Sequence, residues 1–154
     1  MKILFTKDQY LKLLKLVYLG NWMINAIRSG AKGDEIMKEY DELEQYIFSF
    51  AKEFGFEKYI EFDKKLGKFY PTADFEDNTD VDKYKEEYDD DTFWDSLMYK
   101  LSWRDFVNKY GMETINKMSI KERIEKEQPF LDKWADEIDK HGVQRIDINQ
   151  DKTN

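Results

Sequence analysis

Four stretches of this chain place apolar residues three and four apart, the helical period, and each closes on a glycine, at Gly30, Gly55, Gly111 and Gly142. That pattern leaves little room for anything but a mainly α fold. In the first stretch, Thr6 and Gln9 form a capping box, with Phe5 placed to staple onto Tyr10. From there "DQYLKLLKLVYLGNWMINAIRSG" reads as one helix to Gly30. Leu13, Val17, Ile24 and Ile27 share one side of it, while Leu11, Tyr18 and Trp22 lie on the other beside Asn25 and Ser29. A helix apolar on both sides is central in a bundle or touches a second partner, and the central position is the simpler account. Asn21 and Asn25 fall on the polar flank, as interhelical hydrogen-bonding or solvated residues.

The second helix is expected from Asp34, its cap, to Phe54, with Ile36, Tyr40, Leu43, Ile47, Phe50 and Phe54 as its apolar repeat. Gly55 and Phe56 suit a Schellman ending. Joined by "SGAKG", the first two helices predict an antiparallel hairpin. The third helix is expected to begin at Asp89, Asp90 or Asp91, with Thr92 and Asp95 as an alternative capping box. Its stripe of Trp94, Leu97, Met98 and Leu101 runs into Arg104 and Asp105, and Tyr99, Trp103, Phe106 and Tyr110 make a second stripe. The fourth helix starts at Ser119, boxed with Glu122, and carries Ile120, Ile124, Leu131, Trp134 and Ile138 on its apolar side as far as His141. Pro129 costs about 3 kcal/mol in an unbroken helix, so a kink or two abutting helices is expected there.

Residues 57–91 are less regular. "KYIEFDKKLGKFYPT" suits either a short helix or a hairpin turning near Lys64 to Gly67, and "TADFEDNTDVD" reads as an irregular surface connection. "DKYKEEY" adds at most a short helical turn, and "VQRIDI" alternates as a short C-terminal strand would. The expectation is therefore a single mainly α domain over 1–148, a bundle of about four principal helices, followed by a frayed tail at 149–154.

Composition narrows the function classes. Aromatic residues make up 16% of the chain, which argues against disorder because their burial repays the ordering of the backbone. The net charge of −8 repels phosphates, making direct nucleic-acid binding and anionic membranes poor expectations and a basic protein partner a better one. The absence of cysteine excludes disulfides, thiolate zinc sites and cysteine nucleophiles, and fits a cytoplasmic setting. Met1 to Phe5 is too short for a signal peptide's apolar region. The longest uncharged run, Leu16 to Ile27, has 12 residues, against about 20 needed to span a bilayer.

Recognisable chemistry is scarce. "EEYDDD", from Glu86 to Asp91, holds five acids among six residues, which favours a helix N-terminus and an acidic surface. Glu76, Asn78, Asp80 and Glu87 match the spacing of a calcium loop, but Val81 stands where its sharp turn requires glycine. The lone His141 sits in a last helical turn, where a cation suits the dipole, and no nucleophile motif points to it. "SGAKGDE" lacks the spacing of a phosphate loop, and "EFDKK" lacks the upstream acid of a metal nuclease. Arg104 and Asp105 interrupt an apolar stripe, so they are a candidate buried polar pair in a charge network or lie at the rim of the core, with a structural role favoured over a ligand-binding one. The candidate interaction surface comprises Asp89, Asp90, Asp91, Tyr99, Trp103 and Phe106, with Tyr18 and Trp22 as a second aromatic patch.

"DDDTFWDSLMYKLSWRDF", followed by "HGVQRIDI", resembles a pattern in small, acidic, uncharacterised bacterial proteins. The resemblance covers roughly the C-terminal half. It implies a bacterial cytosolic setting and no site residues. The expected role is a non-catalytic acidic protein-interaction module, such as an inhibitor or immunity-like protein that binds a basic partner, without a cofactor. The alternatives are a carboxylate-based enzyme, with or without a divalent metal, and a self-associating structural protein.

Overall fold

The computed structural model describes residues 3–145. The fold is mainly α: six helices and one two-stranded antiparallel sheet occur among the described residues. Two compact units make up the chain, Met1–Glu87 and Tyr88–Asn154.

In the first unit, α1 (Lys7–Asn25) begins on the full capping box: Thr6 Oγ1 accepts from the Gln9 N–H at 3.2 Å, and Gln9 Oε1 accepts from the Thr6 N–H at 2.9 Å. The helix ends at Asn25, short of Gly30, because the Asn25 side chain turns outward to the incoming chain. Its Oδ1 accepts from the Met37 N–H at 2.9 Å. Ile27, expected on an apolar face, is consequently left 84% exposed. The start of α2 (Lys38–Phe48) also departs from expectation. Asp34 does not cap it, since its carboxylate accepts from the backbone and hydroxyl of Ser29, both at 2.8 Å, and closes the interhelical loop instead. Beyond Phe48 the backbone continues as turns, ending on Gly55 with φ 74°. There the Phe56 N–H donates to Ala51 O at 2.8 Å and the Gly55 N–H to Lys52 O at 3.0 Å, the paired bonds of a Schellman motif.

The two helices run antiparallel. Tyr10, early in α1, donates its hydroxyl to the carbonyl of Ile47, late in α2. Further along α1, Asn21 Nδ2 donates to Glu44 Oε2 at 3.0 Å, and at the opposite end the Met37 N–H donates to Asn25 Oδ1.

The ambiguous segment after Phe56 is a hairpin. Strands β1 (Ile60–Asp63) and β2 (Lys68–Pro71) pair with Glu61 opposite Tyr70 and Phe62 opposite Phe69. Asp63 Oδ1 gathers the Lys65 N–H at 2.7 Å, and Gly67, at φ 65°, supplies the left-handed residue the turn needs. Gln45 of α2 clamps the hairpin by a reciprocal pair to the Phe69 backbone, at 2.9 and 2.7 Å.

"TADFEDNTDVD", expected to be irregular, contains helix α3 (Ala73–Asn78), capped by Thr72, whose Phe75 is completely buried. A single core gathers Tyr10, Leu14, Phe48, Ala51, Phe56, Ile60, Phe75 and Val81. Its aromatic rings interlock, with Tyr10 stacked on Phe54 at 4.0 Å and Tyr18 edge-on to Phe75 at 5.4 Å.

Asp80, at φ 62°, turns the chain into α4 (Val81–Tyr110). This corrects the expected start of the third helix at Asp89–Asp91. Val81, buried in the core, anchors the first turn. Lys85 pairs with Asp82 and Lys83 with Glu87, supporting the helix locally and carrying it through the acid run. The three aspartates lie inside the helix and cap nothing.

The second unit holds the rest of α4, the short α5 (Met112–Ile115) and α6 (Ile120–His141). Ser119 caps α6 by accepting from the Glu122 N–H at 3.2 Å. Of the two arrangements expected at Pro129, two abutting helices do not occur: α6 runs as one helix through it. Pro129 and Glu125, whose carbonyl loses the helical partner, both lie on the exposed side, where a free carbonyl costs little. The buried centre is small: Phe106, Ser102 and Ile115, with Phe130 edge-on to Phe106 at 5.7 Å. No residue of α6 is fully buried, and Ile120 and Ile124, expected on its apolar side, are 81% and 59% exposed. Val143–Arg145 form a turn, and the remainder of the expected strand, with the tail, lies outside the described residues. Among the described residues, no helix is long and apolar enough to cross a membrane.

Candidate functional site

Helices are normally sided, yet every residue of α4 from Glu86 to Phe93 is exposed. The acid run thus presents more than two turns of helix with no buried face. Tyr88 and Phe93, within it, are about half exposed, and Tyr84 lies one turn before. Among the described residues no ion pair engages Asp89, Asp90 or Asp91, although Asp90 Oδ1 accepts the indole N–H of Trp94 at 3.0 Å. Asp89, Thr92, Phe93, Ser96, Leu97 and Lys100 line a shallow cleft of about 410 Å³ along this stretch.

The aromatic residues expected at the surface sort differently. Tyr99 is exposed. Phe106 is fully buried and leaves the surface, because its position on α4 faces Phe130 of α6. Trp103 is half-buried beneath the guanidinium of Arg123, which lies 4.9 Å from its ring centroid. Tyr18 and Trp22 are also half-buried. The Tyr18 hydroxyl donates to Glu76 Oε1 at 2.6 Å and accepts from Lys85 Nζ at 3.0 Å, a bridge between α1, α3 and the start of α4. Burial and the Glu76 hydrogen bond raise its pKa, while Lys85 opposes the shift.

Arg104 and Asp105 pair as neighbours, but Arg104 is exposed and only Asp105 is largely enclosed. Asp105 is a hub. Its Oδ1 accepts from Arg104 Nε and Nη2, at 3.1 and 2.9 Å. Its Oδ2 accepts from Lys133 Nζ at 2.8 Å and Trp134 Nε1 at 2.9 Å. Burial works to raise its pKa, but the hydrogen bonds from Lys133, Arg104 and Trp134 outweigh it and hold the carboxyl at about 2. A group so firmly ionised is no proton donor or acceptor near neutrality. Next to it lies a cleft of about 390 Å³ lined by residues that include Leu101, Arg104, Lys133, Trp134 and Arg145. Lys133, Trp134 and Arg145 were not singled out as a site by sequence, since nothing local ties α6 to Asp105.

The opposite carboxylate environment is at Glu44, on the α1–α2 seam. Burial pushes its pKa up to about 7; the hydrogen bond from Asn21 opposes this and Asp41 adds to it. The calcium-like spacing does not make a loop, because Glu76 and Asn78 belong to α3 and Glu87 to α4. Glu76 is held by Tyr18, and Asp80 lies 3.7 Å from Lys15. No group of three or more His, Asp or Glu suited to a metal ion occurs among the described residues. No protein-family model, curated protein or solved structure matches this chain.

Proposed function

We propose that the protein is a non-catalytic interaction module that binds a basic protein partner, as an inhibitor or immunity-like protein would, through the exposed middle of α4. The observation that carries this reading is the eight-residue exposed run Glu86–Phe93, with Tyr88 and Phe93 open to solvent among five acids. Carboxylates steer a cationic partner and set register, and the aromatic rings offer area that becomes buried on contact. A helix is a firm platform for both, since its backbone is already ordered before binding and little further entropy is lost.

The test begins with a tagged chain used to capture partners from the native lysate at low and moderate salt, followed by identification of what salt releases. Binding of the purified partner is then measured against Asp89→Lys/Asp90→Lys/Asp91→Lys. The expected result is at least about a tenfold loss of affinity and a shallower salt dependence. Unchanged affinity and salt slope would refute the acidic-helix reading.

A further inference from the structure

We infer that the cleft beside Asp105 in the Tyr88–Asn154 unit is a binding site for a small organic monocarboxylate with an aromatic or branched apolar body. This site is separate from the exposed α4 run and does not depend on it.

The charge balance sets the class of ligand. In a chain of net charge −8, three cations converge on this cleft: Arg104 from α4, Lys133 from α6, and Arg145 from the turn beyond α6. Among the described residues, two carboxylates answer them. Asp105 serves both Arg104 and Lys133, and Glu137 lies 3.3 Å from Arg145. Three cations against two carboxylates leave a surplus of one positive charge, suited to a monoanion. A phosphate dianion would exceed that surplus and meet Glu137, which also lines the cleft.

The donors are only partly used. Arg104 directs Nε and Nη2 to Asp105, Lys133 gives one hydrogen bond to the same carboxylate, and Arg145 uses Nη1 on Glu137. Their other N–H groups have no partner on Asp105 or Glu137 and can meet a ligand oxygen, and a guanidinium edge favours a planar carboxylate.

The remaining lining supplies the apolar half. Trp134 has committed its indole N–H to Asp105, so what it offers is ring carbon, with Arg104 at 5.5 Å and Lys133 at 4.7 Å over the ring. Leu101 and Ile138 complete that wall. A volume of about 390 Å³ falls in the range of small-ligand sites.

The test is a nitrogen–proton NMR titration of the full chain, reading the Trp134 indole N–H, which is assigned by its loss in Trp134→Phe. Phenylacetate, benzylamine and inorganic phosphate are added separately, each to about 10 mM, the range in which weak ligands saturate. Phenylacetate is expected to shift the resonance saturably, benzylamine to leave it in place, and phosphate to bind at least about tenfold more weakly than phenylacetate. Arg145→Ala, at an exposed turn where folding is not at stake, and Lys133→Met should each weaken phenylacetate by about tenfold. No saturable shift, or a phenylacetate affinity unchanged in Arg145→Ala, would overturn the inference. So would phosphate binding as tightly as phenylacetate.

Discussion

The two units solve the same problem, holding helices together, by different means. Met1–Glu87 interlocks aromatic rings around Tyr10, Phe48, Phe56 and Phe75 and ties its hairpin down through Gln45. Among the described residues, Tyr88–Asn154 buries little beyond Phe106, Ser102 and Ile115, and joins α4 to α6 through Phe130 on Phe106, the Asp105–Lys133 pair and cation–π contacts on Trp103 and Trp134. The first arrangement encloses its ring cluster and leaves an apolar cleft of about 290 Å³ beside it, lined by residues such as Leu4, Phe5 and Tyr46. The second leaves a cleft lined by partly used charges at its surface.

If that contrast is sound, core truncation should be felt most in the first unit. Phe75→Ala removes a fully buried ring surrounded by other rings and is expected to cost about 3–5 kcal/mol, read by urea unfolding with α1 amide exchange as the local probe. Phe106→Ala, in a smaller core whose neighbours can relax, should fall near the lower end of that range. Equal losses would break the comparison.

The units should also answer pH in opposite directions. Glu44 has a folded pKa raised from 4.5 to about 7, so the native state holds the proton more tightly than the unfolded chain does. Its effect is therefore a loss of stability as pH rises from 4.5 to about 7. Glu44→Gln keeps an acceptor for Asn21 and removes the ionisation; at pH about 8 it should gain about 1–2 kcal/mol and flatten this dependence. Asp105 has the reverse sign. Its folded pKa is depressed from 3.8 to about 2, so its contribution is present above about pH 4 and lost as pH falls through that window. Asp105→Asn should cost only about 1 kcal/mol near neutrality, because solvent screens the exposed partners Arg104 and Lys133. Unfolding of each variant across pH checks both signs.

The smallest stability effect is expected at the acid run. Asp89→Lys/Asp90→Lys/Asp91→Lys should change stability by less than about 0.5 kcal/mol, as none of the three caps the helix or is buried. A larger loss in thermal unfolding would mean that α4 relies on these acids after all, and would weaken the case for reserving them for a partner.

Local chemistry was legible in the sequence at several caps whose partners are neighbours along the chain. Thr6 with Gln9, Ser119 before Glu122, and Gly55 with Phe56 were readable because a cap is completed within a few residues. The mainly α character follows from the same short-range periodicity. Where a residue had a choice, distant packing decided. Asp34 and Asn25 close a loop instead of extending helices because Ser29 and Met37 come within reach only after the chain turns. Phe75, in a stretch that reads as loop, is buried because Tyr18 and Tyr59 arrive from other elements. α4 starts at Val81, not at the acids, because Val81 enters a core assembled from α1, α2 and the hairpin. Asp105 was visible as an interruption in an apolar stripe, but its partners Lys133 and Trp134 lie more than two dozen residues away. The sequence alone determined the four principal helical stretches and the caps at Thr6 and Ser119, since those energies are local. Only the tertiary structure decided which charges share a cleft and which aromatic rings leave the surface, since burial and Coulomb interaction depend on distance in space.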